Sequence, residues 1–242
     1  MKRLLSATVA GLIATFAFAQ QEIQLTQFMN NKLYYNPGVA GSSGSICINA
    51  AHRTQWQGFE NAPSTQNINA EIPIAAILGA ISVNITNDKI GYFQDIKFGL
   101  GYAYQMNLAN GTLGLGLSVD FINKGLSGGE WIPPDQGASD PSLGKFGSSS
   151  ITPELNFGAY YQSSTFYAGV SSREMLSAKA EIDNNFGSVT GVKLERTYFI
   201  MGGYNWNIPN TPGRQHPSRV AKGSPIFSSV DRSNNIERGQ RL

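Results

Sequence analysis

The chain of 242 residues is long enough for one barrel-sized domain or two small ones. Its charged fraction of 14% lies below the roughly 25% usual in soluble domains, and a net charge of +2 argues against nucleic-acid or acidic-substrate partners. A single cysteine, Cys47, excludes an internal disulfide and any cysteine-cluster metal site.

Residues 1–19 read as a secretory signal. Lys2 and Arg3 form a basic n-region, Leu4 to Phe16 an apolar run, and Ala17-Phe18-Ala19 a small-x-small cleavage site. The mature chain is expected to begin at Gln20, which is not a lipid-accepting cysteine. No later stretch approaches the ~20 apolar residues of a spanning helix, so residence in a membrane requires a closed barrel.

Residues 20–44 are polar and aromatic without alternation, and read as a segment that packs or plugs, with a turn at Asn36-Pro37-Gly38. Alternating strands are expected next, at 45–56, 64–74 and 79–87, separated by loops at 57–63 and 88–94.

The clearest signal is IKFGLGYAYQMNLANGTLGLGLSVDF, Ile96 to Phe121. Ile96, Phe98, Leu100, Tyr102, Tyr104 and Met106 alternate with Lys97, Gly99, Gly101, Ala103 and Gln105. Leu113, Leu115, Leu117, Val119 and Phe121 alternate with Gly114, Gly116, Ser118 and Asp120. Period two means a strand with two unlike faces. Asn110-Gly111 is a favoured type I′ turn dipeptide and predicts a hairpin pairing Leu108 with Leu113 and Met106 with Leu115. The small residues Gly114, Gly116 and Ser118 leave room for a plug or neighbouring side chains.

A long loop then carries Trp131, Pro133 and Pro134. A hairpin follows at 152–161 and 165–172, then a connection at 173–195 with a helical turn near Glu174 to Glu181, and an eighth strand at 196–206. Short connections after strands two, four and six, with longer ones after the odd strands, follow the outer-membrane barrel pattern. Trp56, Phe59, Tyr92, Phe93, Tyr161, Phe166, Tyr204 and Trp206 gather at strand ends as candidate girdles. The reading is an all-β antiparallel transmembrane barrel over 45–206 with at least eight strands, altered or truncated towards its C-terminus. A soluble sandwich shares the same periodicity. Residues 207–242 lack alternation and read as an irregular tail; from Gly213 on, six basic residues stand against Asp231 and Glu237.

Four stretches exceed generic barrel pattern: QFMNNKLYYNPGVAGS (27–42), RTQWQGF (53–59), APSTQ (62–66) and NDKIG (87–91). Their order and spacing resemble the PorP/SprF family of type IX secretion outer-membrane proteins. The family motif places Asn36, Pro37, Gly41, Arg53, Gln55, Trp56, Gly58, Phe59, Pro63, Gln66, Asp88, Lys89 and Gly91 as candidate structural or partner-contact residues. Read physically, Arg53 and Gln55 share the inward parity, and Arg53 is expected to pair with Glu71 or Asp120, since a buried charge needs a partner. Trp56 reads as an interface anchor.

The resemblance implies a Bacteroidetes-type outer-membrane component of the secretion and gliding machinery, helping cargo proteins reach or stay on the cell surface. The implied partners are cargo proteins, other secretion subunits and outer-membrane lipid, and no cofactor is expected. A small-solute or lipid channel of the same architecture is the alternative. No Ser/His/Asp set, metal spacing or phosphate loop is present. An outer-membrane hydrolase would have to centre on His52, because His216 lies in the tail.

Overall fold

A computed structural model describes residues 22–23, 25, 27–126, 149–183, 189–207, 214–223 and 228–237. The expected signal at 1–19 and the loop centre with Trp131, Pro133 and Pro134 lie outside the described residues.

Period-two alternation becomes strand wherever the sequence shows it: β1 (Cys47–Thr54), β2 (Ser64–Ile74), β3 (Gly79–Ile90), β4 (Phe93–Leu108), β5 (Gly111–Leu126), β6 (Ser149–Ser163) and β7 (Phe166–Arg173). A separate hairpin of β8 (Lys179–Asp183) and β9 (Val189–Lys193) precedes β10 (Thr197–Tyr204). Three strands follow: β11 (Trp206–Asn207), β12 (Arg214–Gly223) and β13 (Ser228–Glu237). In the main sheet β1 to β7 pair in sequence, β10 pairs β7, β12 pairs β10, and both β11 and β13 pair β12, all antiparallel. The eight strands β1–β7 and β10 form a curled half-barrel.

The two faces of this sheet are inverted relative to a soluble protein. Ile48, Ile68, Ile85, Leu100, Leu117 and Ile200 stand exposed on the convex face. Asn67, Asn69, Lys97, Asp120, Glu154 and Arg173 are buried on the concave face. A soluble sandwich would bury the first set and expose the second. A lipid-facing wall does the opposite, because hydrocarbon solvates apolar side chains and punishes polar ones. On β4 the apolar band runs from Ile96 to Met106. At roughly 3.3 Å per residue that is about 33 Å along the strand, or about 25 Å of height at a tilt of roughly 40°. This matches the hydrocarbon belt of an outer-membrane barrel. Next to Ile96 the outward row turns polar, with His52, Gln66, Asn87 and Asn123 in register.

Four local expectations are corrected. The β4–β5 turn is at Ala109-Asn110, with Ala109 at φ +51, and Leu108 pairs Gly111 while Met106 pairs Leu113. Gly111 is taken up elsewhere: a Cβ there would meet the Tyr161 hydroxyl at 2.7 Å. The register shift is two residues, so both faces survive it. The loop expected at 88–94 shrinks to Gly91-Tyr92, because β3 and β4 pair out to Ile90 and Phe93. The connection after β3 is therefore short, not long. The helical turn expected near Glu174 to Glu181 is instead a turn followed by the β8–β9 hairpin. Finally, the span 207–242 read as irregular contains β12 and β13, so the sheet continues past residue 206. Edge pairing needs backbone groups rather than alternation, and β10 offers β12 an open edge.

Candidate functional site

Two regions gather the candidate residues. The first is the hollow of the sheet, which holds the N-terminal segment. A short 3-10 turn (Phe28–Asn30), helix α1 (Lys32–Tyr35) and a second 3-10 turn (Pro37–Val39) carry it along the concave wall. The lack of alternation is explained by this position: the segment is surrounded, with no apolar and polar side of its own. Phe28, Tyr34, Tyr35 and Val39 pack with Tyr160, Tyr167, Phe199 and Met201 in one buried cluster.

Its polar groups are matched to the wall. Asn36, fully buried, donates from Nδ2 to the Ala159 carbonyl at 3.0 Å and the Val170 carbonyl at 3.2 Å, while its Oδ1 accepts from Gly38 N at 2.8 Å. Pro37 follows at the first position of the turn, where its fixed φ suits entry into helix-like geometry. Gly41, at φ +82, donates its N–H to Glu71 Oε2 at 3.1 Å. Asn31 Nδ2 donates to Asn67 at 2.6 Å, and Asn67 continues to Thr86 at 2.7 Å. Gly116 faces Pro37 and Gly38, and Gly158 faces Asn36, so closely that neither position has space for a Cβ.

Charged groups close one end of this contact. Lys97 Nζ lies 3.1 Å from both Glu22 Oε1 and Glu174 Oε1. Arg173 pairs with Asp120 at 3.0 Å, donates to the Tyr34 carbonyl at 2.7 Å and stacks over the Tyr34 ring at 4.3 Å. Tyr34 donates its hydroxyl to Glu22 Oε2 at 2.6 Å. On the opposite flank, Lys32 Nζ sits 3.8 Å from the Tyr167 ring centroid. Burial brings the Lys32 ammonium down to about 8.

The expected partners of Arg53 are corrected here. Asp120 is taken by Arg173, and Glu71 by Gly41 and Ser43. Glu71 pairs with Cys47 in register, six residues along β1 from Arg53, or about 20 Å away. Arg53 lines a cavity of about 420 Å³ between β1 and the N-terminal segment, with Gln27, Asn30, Asn31 and Asn49.

The second region lies at the sheet end beyond the polar row. Register places Arg53 opposite Thr65, and Thr65 opposite Asp88; Thr65 Oγ1 donates to Asp88 at 2.5 Å. The β1–β2 loop is pinned by Gln55 N to the Pro63 carbonyl at 3.0 Å and by Gly91 N to the Asn61 carbonyl at 3.1 Å. Positive φ at Trp56, Gly58 and Asn61 sets its path. Trp56 and Phe59, 69% and 75% exposed, project from it. Gln66 and Lys89 point outward nearby. Three of the four sequence motifs thus converge at one end of β1–β3, although they are separated along the chain. The fourth is the segment in the hollow. Sequence reading missed Glu22, Lys97, Arg173 and Glu174. Lys97 alone carried a signal, as a charge on the small-residue face of the strongest strand.

His52 lies on the outward face, with Thr54 Oγ1 3.1 Å from its Nε2. Among the described residues no group of three or more His, Cys, Asp or Glu side chains could hold a metal. No arrangement described resembles an acid–base or nucleophilic centre.

Residues 17–223 match the family described as type IX secretion system membrane protein PorP/SprF. The chain belongs to the PorP/SprF family. The match runs to Gly223, the end of β12, and so extends beyond Trp206. No curated protein and no solved structure matches the chain. As a PorP/SprF protein it is a membrane component of type IX secretion, and association with other subunits of that system follows from the family.

Proposed function

We propose that this PorP/SprF protein is a filled outer-membrane barrel that serves type IX secretion as a docking partner, helping to secrete cargo proteins or anchor them at the cell surface. The observation that carries this reading is the occupied hollow. A channel for small solutes or lipids needs an open path, whereas here the N-terminal segment is hydrogen-bonded across β2, β4, β6 and β7. The space between it and the wall at Leu33, Ser82 and Asp120 is about 20 Å³, room for a water, and the larger space of about 420 Å³ lies on the β1 side, at Arg53. Contact with cargo and secretion subunits then falls to the surface. The end carrying Trp56, Gly58, Phe59, Lys89 and Gly91, with the connection after β7 that holds the β8–β9 hairpin, is the outward face by the usual barrel orientation.

The test is co-purification from detergent-solubilised outer membrane, paired with gene deletion. Recovery of a secretion subunit or secreted substrate, with loss of surface adhesin and unchanged solute uptake, supports the reading. Lost uptake with normal surface display would favour the channel instead.

A further inference from the structure

The charged cluster at Lys97 is out of balance. Among the described residues, two cations, Lys97 and Arg173, face three carboxylates, Glu22, Glu174 and Asp120, and all five side chains are at least nine-tenths buried. Fully ionised, the group carries one uncompensated negative charge in a site screened from water, an expensive arrangement. Glu22 Oε1 and Glu174 Oε1 both lie 3.1 Å from one ammonium, so they are within about 6 Å of each other. Glu174 Oε2 is buried and receives no hydrogen bond from the described residues. That oxygen is a place for a proton.

We propose that Glu22 and Glu174 hold one proton between them, and that this proton latches the N-terminal segment to the wall. With it, the five groups sum to zero charge. Without it, Glu22 and Glu174 repel across the Lys97 ammonium they share, the more distant Arg173 at 3.9 Å from Glu22 is already engaged by Asp120, and the segment is pushed off at Glu22. Glu22 belongs to the segment and Glu174 to the connection after β7, so the repulsion falls across the contact itself.

Among the described residues, the other charges around the site do not supply the missing proton or cation. From α1, Tyr34 already donates to Glu22. From β3, β4 and β5, Asp88 is held by Thr65, and Asp95 pairs with Lys124. From β6, Glu154 accepts the backbone N–H groups of Leu176 and Ala178, and Arg196 donates to the Met175 carbonyl. Burial, the largest influence, raises the Glu174 carboxyl to about 7. A carboxyl raised in the docked state stabilises docking fully at low pH and loses that contribution as pH rises through neutrality. Lys32, in the same segment, acts with the opposite sign and cannot imitate this trend.

The experiment is hydrogen–deuterium exchange on the full chain in lipid vesicles, following peptides from 27–45 and correcting for intrinsic exchange. Between about pH 5.5 and about pH 8 the protection of the wild-type segment should fall by on the order of tenfold, one pKa unit being a factor of ten. Glu174→Gln should flatten that dependence, and so should Glu22→Gln. Glu154→Gln, outside the cluster, should keep it. A wild-type profile flat across this range overturns the proposal whether or not the variants fold. So does a folded Glu174→Gln or Glu22→Gln protein that retains the full pH dependence.

Discussion

Asn36 gives the most discriminating test of the docked segment. Its amide makes three hydrogen bonds with fixed polarity: two donated to strand carbonyls and one accepted from Gly38 N. Each is worth about 0.5–1.5 kcal/mol net, so Asn36→Ala should cost about 2–4 kcal/mol. Asn36→Asp is nearly isosteric but reverses the polarity on one side. A carboxylate oxygen would face the Ala159 and Val170 carbonyls, where a donor is required, and the charge would be buried. It should therefore cost at least as much as alanine, despite filling the space. Gln27→Ala, on an exposed residue of the same segment, should stay within about 0.5 kcal/mol. Urea titration in micelles, followed by tryptophan fluorescence, reads the midpoints. A common slope licenses the comparison. An Asn36→Asp protein as stable as wild type would refute the placement of this amide against the β6 and β7 carbonyls.

Arg173→Met should cost about 3–5 kcal/mol, because it strands buried Asp120, while adding Asp120→Asn should recover part of the loss. Lys193→Ala breaks an exposed pair with Glu195 and should cost under about 1 kcal/mol in the same titration. Ile68→Lys, on the convex face, should destabilise the protein in vesicles by about 2–4 kcal/mol if that face meets hydrocarbon. No loss would mean it does not. Lys32 is held low by burial, so below its unfolded value the unfolded chain binds more protons and stability should rise between about 8 and 10.5. Lys32→Met should remove that rise in a pH series of unfolding midpoints.

The sheet was legible because period two is a local signal that survives error. The hairpin at Ala109-Asn110 shows this: the turn was misplaced by one residue and the pairing by two, yet Leu100, Tyr102 and Leu117 kept their outward face. The dipeptide Asn-Gly was ambiguous because glycine also serves close strand packing, and Gly111 is spent on Tyr161. Gly114 and Gly116 announced a close approach from one side but not what makes it; the structure puts Gly38 and Pro37 there. Ion pairing was the least legible. Arg53 is matched to Glu71 or Asp120 by parity alone, and parity says which side a residue faces, not how far along the strand it sits. Arg173 lay at the margin of a segment read as irregular connection. Glu22 lies outside any periodic element, so no pattern could mark it. The tail failed for a related reason: a strand added at an edge is held by its backbone and need not alternate.

The inverted faces and the filled hollow belong to one physical argument. A sheet whose concave face is polar cannot be left dry; each buried amide and charge there needs a partner or water. Porins meet this demand with water and so conduct. Here the N-terminal segment meets much of it, with Asn36 and the Asn31 amide satisfied on the wall and Lys97 answered by Glu22. The same contacts that satisfy the wall also stiffen it, because the segment ties β2 and β4 to β6 and β7 across the hollow. A stiff support is what the pinned loop at Trp56 and Phe59 requires to hold its positive-φ path and keep both rings exposed. Loosening the segment should therefore soften the far end as well. Exchange at the backbone amides of Gln55 and Gly91, bonded to Pro63 and Asn61, should quicken in Asn36→Ala even though Asn36 touches neither. Unchanged exchange there, with the segment itself loosened, would separate the hollow from the surface and leave the filling with a structural role only.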